Sequence, residues 1–242
     1  MRADQYLLAN GFVASRQKAK ELIEAGAVLV NDIPLKKASQ SIPQGATISI
    51  DSPLTKWVSR GALKLLGGLD AFPAITPQDK ICLDIGASTG GFTEVCLRHG
   101  AAHIYAIDVG HGQLAPSLAK HSRITSVEKC NARYLDASHV PEPFQLIVCD
   151  VSFISLTLAL PAAMTLAPQG CEAICLVKPQ FEVGRSGLDK GGIVKDESLR
   201  QQVLDDMVAW FHTQGWDVIG TADSPITGPD GNQEFLLAAR KL

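Results

Sequence analysis

Along most of the chain, short apolar runs typical of strands alternate with segments in which apolar residues have helical spacing. Short apolar runs predict strands at residues 81–85, 104–109, 124–129, 146–151, 173–177, 217–221 and 235–239. Helical spacing predicts helices near residues 63–72, 92–99, 155–165 and 197–213. Alternating strands and helices indicate an α/β domain whose mostly parallel sheet is covered on both faces.

The last two predicted strands should pair differently from the others. Residues 222–233 between them are too few for an ordinary crossover helix. We therefore expect a final antiparallel hairpin at the edge of the parallel sheet.

The first fifty residues predict a separate α+β unit. Helical spacing covers residues 4–9 and 15–25, and short strands are expected at 27–30 and 47–50. Ser15 is a candidate N-cap of the second helix, and Gly26 is a candidate C-cap. With residues 53–62 as a linker, the predicted domains are 1–52 and 63–242.

The segment 81–93 carries the clearest chemical signal. It passes from an apolar strand to an acid and then to a glycine-rich turn that opens a helix, a pattern that lets backbone N–H groups approach a nucleotide-like cofactor. Asp108 ends the next predicted strand, where a carboxylate could accept hydrogen bonds from ribose hydroxyls. The candidate cofactor residues are Asp84, Gly86, Ser88, Gly90, Gly91, Phe92, Asp108 and, after the third strand, Asn131.

The glycine spacing favours S-adenosylmethionine over a dinucleotide. A dinucleotide fingerprint needs G-x-G-x-x-G, but Ser88 occupies the position of its second glycine. S-adenosylmethionine has no pyrophosphate, so its loop needs no phosphate nest. A tight strand-to-helix turn without any ligand is the alternative interpretation.

Two charged residues follow the next two strands of the predicted sheet. Asp150 and Lys178 end the runs 146–151 and 173–177. A lone charge at a strand end is usually only solvated, but ligands bind at the carboxyl ends of parallel strands. Together beside an adenosyl site, the two residues are candidate catalytic groups.

Charge and cysteine content narrow the class of protein. The 242 residues have a net charge of -3, yet residues 1–64 contain nine Lys and Arg against five Asp and Glu. That asymmetry indicates a polyanion partner for the amino-terminal part. The six cysteines lie mostly in apolar runs without metal-binding spacing, which favours buried thiols in a cytoplasmic protein. We expect no bound metal and no membrane span, since polar residues interrupt the most apolar stretch.

Two family resemblances sharpen these expectations. The pattern of residues 2–31, with Ser15-Arg16, Leu22-Ile23 and Val30-Asn31, resembles the S-four RNA-binding fold. The resemblance implies a basic face against structured RNA. The candidate RNA contacts are Arg2, Arg16, Lys18, Lys20 and, in the linker, Arg60.

The remainder resembles the class I (Rossmann-like) fold of FtsJ-like ribose 2'-O-methyltransferases. The segments 59–64, 108–114, 150–155 and 178–182 further resemble the TlyA family, also called hemolysin A, except that Ala62 stands where glycine is expected. The resemblance implies a catalytic tetrad formed by Lys64, Asp150, Lys178 and Glu234, and an rRNA or ribosomal-subunit substrate. In our hypothesis Lys178 is the general base, Asp150 orients it, and Lys64 with Glu234 positions the ribose. A protonated Lys178 that stabilises the developing alkoxide is the alternative.

Three functions remain open from the sequence alone. The first is a monomeric RNA methyltransferase, and the second is an RNA-binding or ribosome-assembly protein without catalysis. The third is membrane lysis, which the hemolysin name implies but the sequence does not support. The glycine-rich segment 184–192 is either a mobile loop or a lid whose Arg185 or Lys190 binds phosphates.

Overall fold

The chain forms two compact units, Met1–Arg60 and Gly61–Leu242. The computed structural model describes residues 1–13, 15–50, 56–228 and 231–242. Three residues of the predicted linker, 53–55, lie outside this range. Helix α3 (Gly61–Ala71) begins two residues before the helix predicted from residue 63, and Ala62 in its first turn is buried.

The amino-terminal unit consists of two helices that contact each other and a small sheet. Its elements are α1 (Ala3–Ala9), α2 (Arg16–Glu24), β1 (Val28–Val30), β2 (Ile33–Pro34) and β3 (Ile48–Ile50), and the antiparallel sheet has the order β2-β1-β3. The Ser15 side chain accepts a hydrogen bond from the Lys18 N–H at 3.1 Å, so the predicted N-cap is confirmed. Gly26 follows the helix with φ of +68°, a conformation that glycine adopts without strain.

The second unit is built on one large sheet. Its strands are β4 (Ile81–Ile85), β5 (His103–Ile107), β6 (Ile124–Val127), β7 (Leu146–Cys149), β8 (Glu172–Val177), β9 (Trp216–Asp223) and β10 (Phe235–Lys241). The order is β6-β5-β4-β7-β8-β10-β9, parallel except for β10, which is antiparallel to both neighbours. The predicted parallel sheet with an antiparallel last hairpin is confirmed.

Helices cover both faces of this sheet. After α3 they are α4 (Gly91–Arg98), α5 (Pro116–Ala119), α6 (Leu156–Ala159), α7 (Pro161–Leu166), α8 (Pro179–Glu182) and α9 (Glu197–Thr213). The single helix predicted at residues 155–165 is two helices, because Pro161 cannot donate a backbone hydrogen bond and starts a new turn. The short helices α5 and α8 were not predicted; each begins at a proline, Pro116 and Pro179.

The core lies between the sheet and the helices. Every residue of the central strands β7 and β8 is buried, which is typical of a parallel sheet covered on both faces. All six cysteines are buried and free, as predicted. Within the described residues, no helix is long and apolar enough to cross a membrane, and no cluster of His, Cys, Asp and Glu could hold a metal ion.

Candidate functional site

A cleft of about 490 Å³ opens at the carboxyl ends of β4, β5 and β7. This is the edge where open α/β sheets bind their ligands, and the volume suits a ligand of cofactor size. Its lining includes Gly86, Ser88, Asp108, Asn131 and Asp150, all proposed from the sequence. Lining residues that were not predicted include Val109, Gln113, Cys130, Ala132 and Val151–Ile154.

Close backbone packing explains the glycine at the start of the turn. Gly86 has φ of +85°, and a Cβ atom there would lie 2.7 Å from the backbone oxygen of Asp150. Any side chain would therefore push the ends of β4 and β7 apart. Four other predicted cofactor residues, Asp84, Gly90, Gly91 and Phe92, are buried and do not line the cleft, because they face the packed interior of the strand–turn–helix.

Backbone donors fix the orientation of Asp108. Its Oδ2 accepts from the Ser88 N–H and its Oδ1 from the Gly110 N–H, both at 2.7 Å. Each carboxylate oxygen can accept a further hydrogen bond, so ligand hydroxyls could still bind. Nearby, Asn131 Oδ1 accepts from the Arg133 N–H at 3.1 Å in the 3-10 turn Ala132–Tyr134.

Asp84 is fully buried behind the cleft. Its Oδ2 accepts from the Thr93 hydroxyl at 2.5 Å, while its Oδ1 has no hydrogen-bond partner within the described part of the chain. Burial raises the pKa of this carboxyl to about 7; the Thr93 hydrogen bond opposes that shift, and the Asp150 charge adds to it. The group therefore changes its protonation state near neutral pH.

The charge of the lining distinguishes between classes of cofactor. Asp108 and Asp150 line the cleft, whereas no Lys or Arg is found among its described lining residues. Pyrophosphate sites usually supply cations or a phosphate nest. An acidic cleft instead fits an adenosyl ligand that carries a positive charge and no phosphate.

Lys178 lies at the end of β8 beside this cleft. Its ammonium is 2.6 Å from Asp150 Oδ1 and donates a hydrogen bond to Ser152 Oγ at 2.9 Å. Asp150 follows β7 and Lys178 follows β8. These strands are parallel neighbours, which explains why the two residues meet at one edge of the sheet. Ser152 was not singled out from the sequence; the only available signal was its place two residues after Asp150.

Lys64 and Glu234 form a second ion pair at the same edge. Lys64 Nζ, from α3, donates to Glu234 Oε2 at 2.6 Å, and both side chains are buried. Glu234 immediately precedes Phe235, which pairs with Val177, so it lies across the strands from Lys178. Gln180 Nε2 also donates to Glu234 Oε1 at 3.4 Å, a contact that sequence reasoning missed.

Comparison with known proteins agrees with this geometry. Residues 57–241 match the FtsJ-like methyltransferase family and residues 1–48 match the S4 domain. A Mycobacterium tuberculosis protein named 16S/23S rRNA (cytidine-2'-O)-methyltransferase TlyA is 43% identical over 99% of this chain and 89% of its own. The chain belongs to the TlyA family of FtsJ-like methyltransferases.

Two further relatives carry a different name. Hemolysin A of Brachyspira hyodysenteriae is 38% identical over 98% of both chains. A solved structure from Streptococcus thermophilus, classed with the hemolysins, has a TM-score of 0.80 at 38% identity and covers 100% of this chain and 88% of its own. The TlyA family thus includes proteins named for two unlike activities.

An exposed aromatic residue marks the mouth of the methyltransferase cleft. Phe153 is 91% exposed, although large apolar side chains are usually buried. Its φ of +65° is a strained conformation for a residue with a side chain. Its ring lies 5.2 Å from the ring of Phe181, measured between centroids.

Two arginines of the S4 domain share one buried carboxylate. Arg2 and Arg16 contact Asp4 at 3.0 and 2.6 Å, and each keeps about half of its side chain exposed. The hydrogen bond from Arg16, followed by that from Arg2, lowers the pKa of Asp4 to about 2. Their guanidinium groups are thereby fixed at the surface.

The other predicted RNA contacts of this unit differ in exposure. Lys20 is exposed, whereas Lys18 is partly buried and donates to the Trp57 carbonyl oxygen at 2.7 Å. Arg60 is partly buried as well. Their binding roles stay predictions.

The glycine-rich segment after α8 is held by local hydrogen bonds. Asp189 Oδ1 accepts from the N–H groups of Gly191 and Ile193, and its Oδ2 pairs with Lys195 at 2.9 Å. The buried Asn232 ties the segment to the chain before β10 through the Val194 N–H and the Gly192 carbonyl. The lid role of this segment stays a prediction.

Proposed function

We propose that this protein is an S-adenosylmethionine-dependent methyltransferase that acts on ribose 2'-hydroxyls of ribosomal RNA. The observation that carries the proposal is the meeting of two lysine–carboxylate pairs, Lys178–Asp150 and Lys64–Glu234, beside an acidic cleft at one edge of the sheet. The activity named for the Mycobacterium tuberculosis relative supports the choice of substrate.

Residues of the cleft wall would hold the cofactor. Asp108 is oriented by two backbone N–H groups and would accept hydrogen bonds from ribose hydroxyls, while Asn131 would lie beside the adenine. Asp108 and Asp150 also favour a ligand with positive charge. When bound, the cofactor supplies an electrophilic methyl group on its sulfonium.

The chain itself must raise the reactivity of a weak nucleophile. Lys178 is the group best placed to accept the proton of the ribose hydroxyl, because Asp150 and Ser152 hold its amine at the cleft edge. If Lys178 keeps its proton, it would instead stabilise the negative charge that develops on the oxygen. The Lys64–Glu234 pair would position the sugar against this group.

RNA would be held by other parts of the chain. Arg2, Arg16 and Lys20 display positive charge on the S4 domain and would bind phosphates without reading sequence. Phe153 offers an exposed aromatic face at the cleft mouth, which suits stacking on an unpaired base. We expect a monomer that acts in the cytoplasm, where ribosomes are found.

A methyl-transfer assay with matched substrates tests the proposal. Purified protein and isotopically labelled S-adenosylmethionine are incubated with ribosomal subunits, with naked ribosomal RNA and with unrelated RNA, and the digested nucleosides are separated by mass spectrometry. We expect label in 2'-O-methylated nucleosides of ribosomal substrates and a much lower, still measurable, rate of labelling with Lys178→Ala. Tight RNA binding without label from any substrate would instead identify a non-catalytic RNA-binding protein.

A liposome leakage assay addresses the hemolysin name directly. Purified protein is added to dye-loaded vesicles at concentrations that saturate RNA binding. We expect no dye release. Release that persists in Lys178→Ala would point to a membrane activity independent of methyl transfer.

A further inference from the structure

The connection between β7 and α6 adopts an unfavourable backbone conformation. Phe153 is a non-glycine residue with φ of +65°, and its large side chain faces solvent. Such a conformation costs on the order of 1–3 kcal/mol and persists only when surrounding contacts enforce it. The contacts that enforce it are therefore part of how the site is built.

Those contacts come from the segment that follows β8. Lys178 donates to Ser152 Oγ at 2.9 Å, and the Phe181 ring lies against Phe153. Glu182, the last residue of α8, makes two further contacts. Its Oε2 accepts from the Ser155 hydroxyl at 2.5 Å and its Oε1 from the Leu156 N–H at 2.9 Å.

Glu182 therefore acts as a helix cap supplied by another element. Leu156 is the first residue of α6, so its N–H has no partner within the helix. The Ser155 hydroxyl accepts from the Thr157 N–H and donates its own proton to Glu182. Both carboxylate oxygens are used, which fixes the start of α6 relative to α8.

This arrangement ties the two strand ends that carry Asp150 and Lys178. Asp150 lies two residues before Ser152, and Lys178 lies at the start of the turn that ends with Glu182. Rotation of residues 152–156 would remove Ser152 from Lys178 and move the Phe153 ring. Within the described residues, Glu182 forms no hydrogen bond or ion pair with the four tetrad side chains.

We propose that Glu182 is a positioning residue that holds residues 152–156 in the strained conformation in which Ser152 reaches Lys178 and Phe153 is displayed at the cleft mouth. The kinetic part of this inference rests on the methyl-transfer function proposed above. The structural part does not.

Hydrogen–deuterium exchange tests the structural part. Peptides that cover residues 150–160 are compared in the wild type, Glu182→Ala, Glu182→Gln and the surface control Glu197→Gln. We expect about tenfold faster exchange at the start of α6 in Glu182→Ala, because the acceptor of the Leu156 N–H is lost. The exchange rate in Glu182→Gln should be intermediate, because the amide has one carbonyl oxygen and keeps only one of the two acceptors. The exchange rate in the control should match that of the wild type.

Single-turnover methyl transfer tests the kinetic part with the same proteins. We expect a rate about tenfold lower in Glu182→Ala and about threefold lower in Glu182→Gln, because the supporting contacts of a site set its geometry. Equal rate losses in the two variants would overturn the role as a double acceptor.

Two exchange results would overturn the inference. Unchanged exchange in Glu182→Ala would show that the contacts of Glu182 do not stabilise the start of α6. Uniformly faster exchange across residues 61–242 would show a loss of global stability instead. If the wild type methylates no ribosomal RNA, the proposed function fails, while the exchange comparison still decides whether Glu182 holds the segment.

Discussion

Lys64 and Glu234 are 170 positions apart in the chain, yet their side chains form a buried ion pair at 2.6 Å. Desolvation makes such a pair expensive, and well-packed apolar residues of similar volume often stabilise a fold as well or better. Its presence at the edge of the proposed active site therefore favours a functional role over a purely structural one.

Removing one partner of this pair should lower stability more than replacing both partners with apolar residues, while both changes should abolish activity. Glu234→Leu leaves the Lys64 charge buried alone, so we expect a loss of about 3–5 kcal/mol in the free energy of unfolding. The double variant Lys64→Met/Glu234→Leu should recover most of that stability but no methyl transfer. Denaturant unfolding and single-turnover rates measure the two effects; an active double variant would contradict the catalytic role of the pair.

Gly228 offers a way to move the Glu234 carboxylate without removing it. A Cβ atom at residue 228 would lie 2.7 Å from Glu234 Oε1, the far end of a flexible side chain. We expect Gly228→Ala to slow methyl transfer about tenfold with little loss of stability, because the carboxylate can shift. Gly184→Ala is the matched control, since a Cβ there meets nothing within 4 Å; equal rates in both variants would refute the prediction.

The two roles considered for Lys178 differ in their dependence on pH. If the amine accepts the ribose proton, the rate of the chemical step rises with pH through one ionisation, and Lys178→Ala loses that dependence. We expect this result because Asp150 and Ser152 hold the amine at the cleft edge. A flat single-turnover profile would favour the electrostatic role.

Asp84 should make the stability of the cofactor-free protein depend on pH. Burial raises its folded-state pKa from 3.8 to about 7, so its contribution to stability is complete below about pH 4 and is lost as the pH rises through about 7. The amide introduced by Asp84→Asn cannot ionise but can still accept a hydrogen bond from Thr93. From about pH 5.5 to 8, the free energy of unfolding of Asp84→Asn should therefore rise relative to the wild type, by at most about 2 kcal/mol.

Thermal or denaturant unfolding of both proteins across this pH range checks the prediction. Asp223→Asn, which changes an exposed carboxylate of the edge strand, is the control and should show no such trend. A constant difference between Asp84→Asn and the wild type would mean that Asp84 stays ionised throughout.

Arg16 and Lys20 should differ in their effect on the S4 domain. Arg16→Ala removes the shortest ion pair of the buried Asp4, whereas Lys20 is exposed and makes no recorded ion pair in the described residues. We expect both alanine variants to weaken RNA binding and lower its salt dependence. Only Arg16→Ala should also lower the melting temperature of the amino-terminal unit, and an equal shift in Lys20→Ala would contradict the distinction.

The local spacing of apolar residues was enough to predict most helices and strands of the fold. The run 81–85 and the helix at 197–213 were predicted with the bounds they have, because buried strands and amphipathic helices leave clear apolar periods. Periodicity failed where a proline interrupts it. Residues 155–165 read as one helix, while Pro161 divides them into α6 and α7.

The sequence by itself determined the two-unit α/β architecture, the glycine-rich turn and the charged residues at strand ends, since each of these follows from local spacing. Only the tertiary structure decided which charges meet. Lys64 with Glu234 and Glu182 with Ser155 are contacts between distant segments, fixed by sheet order and helix packing. No local period encodes such contacts, because they arise only when the apolar faces of separate elements are buried together.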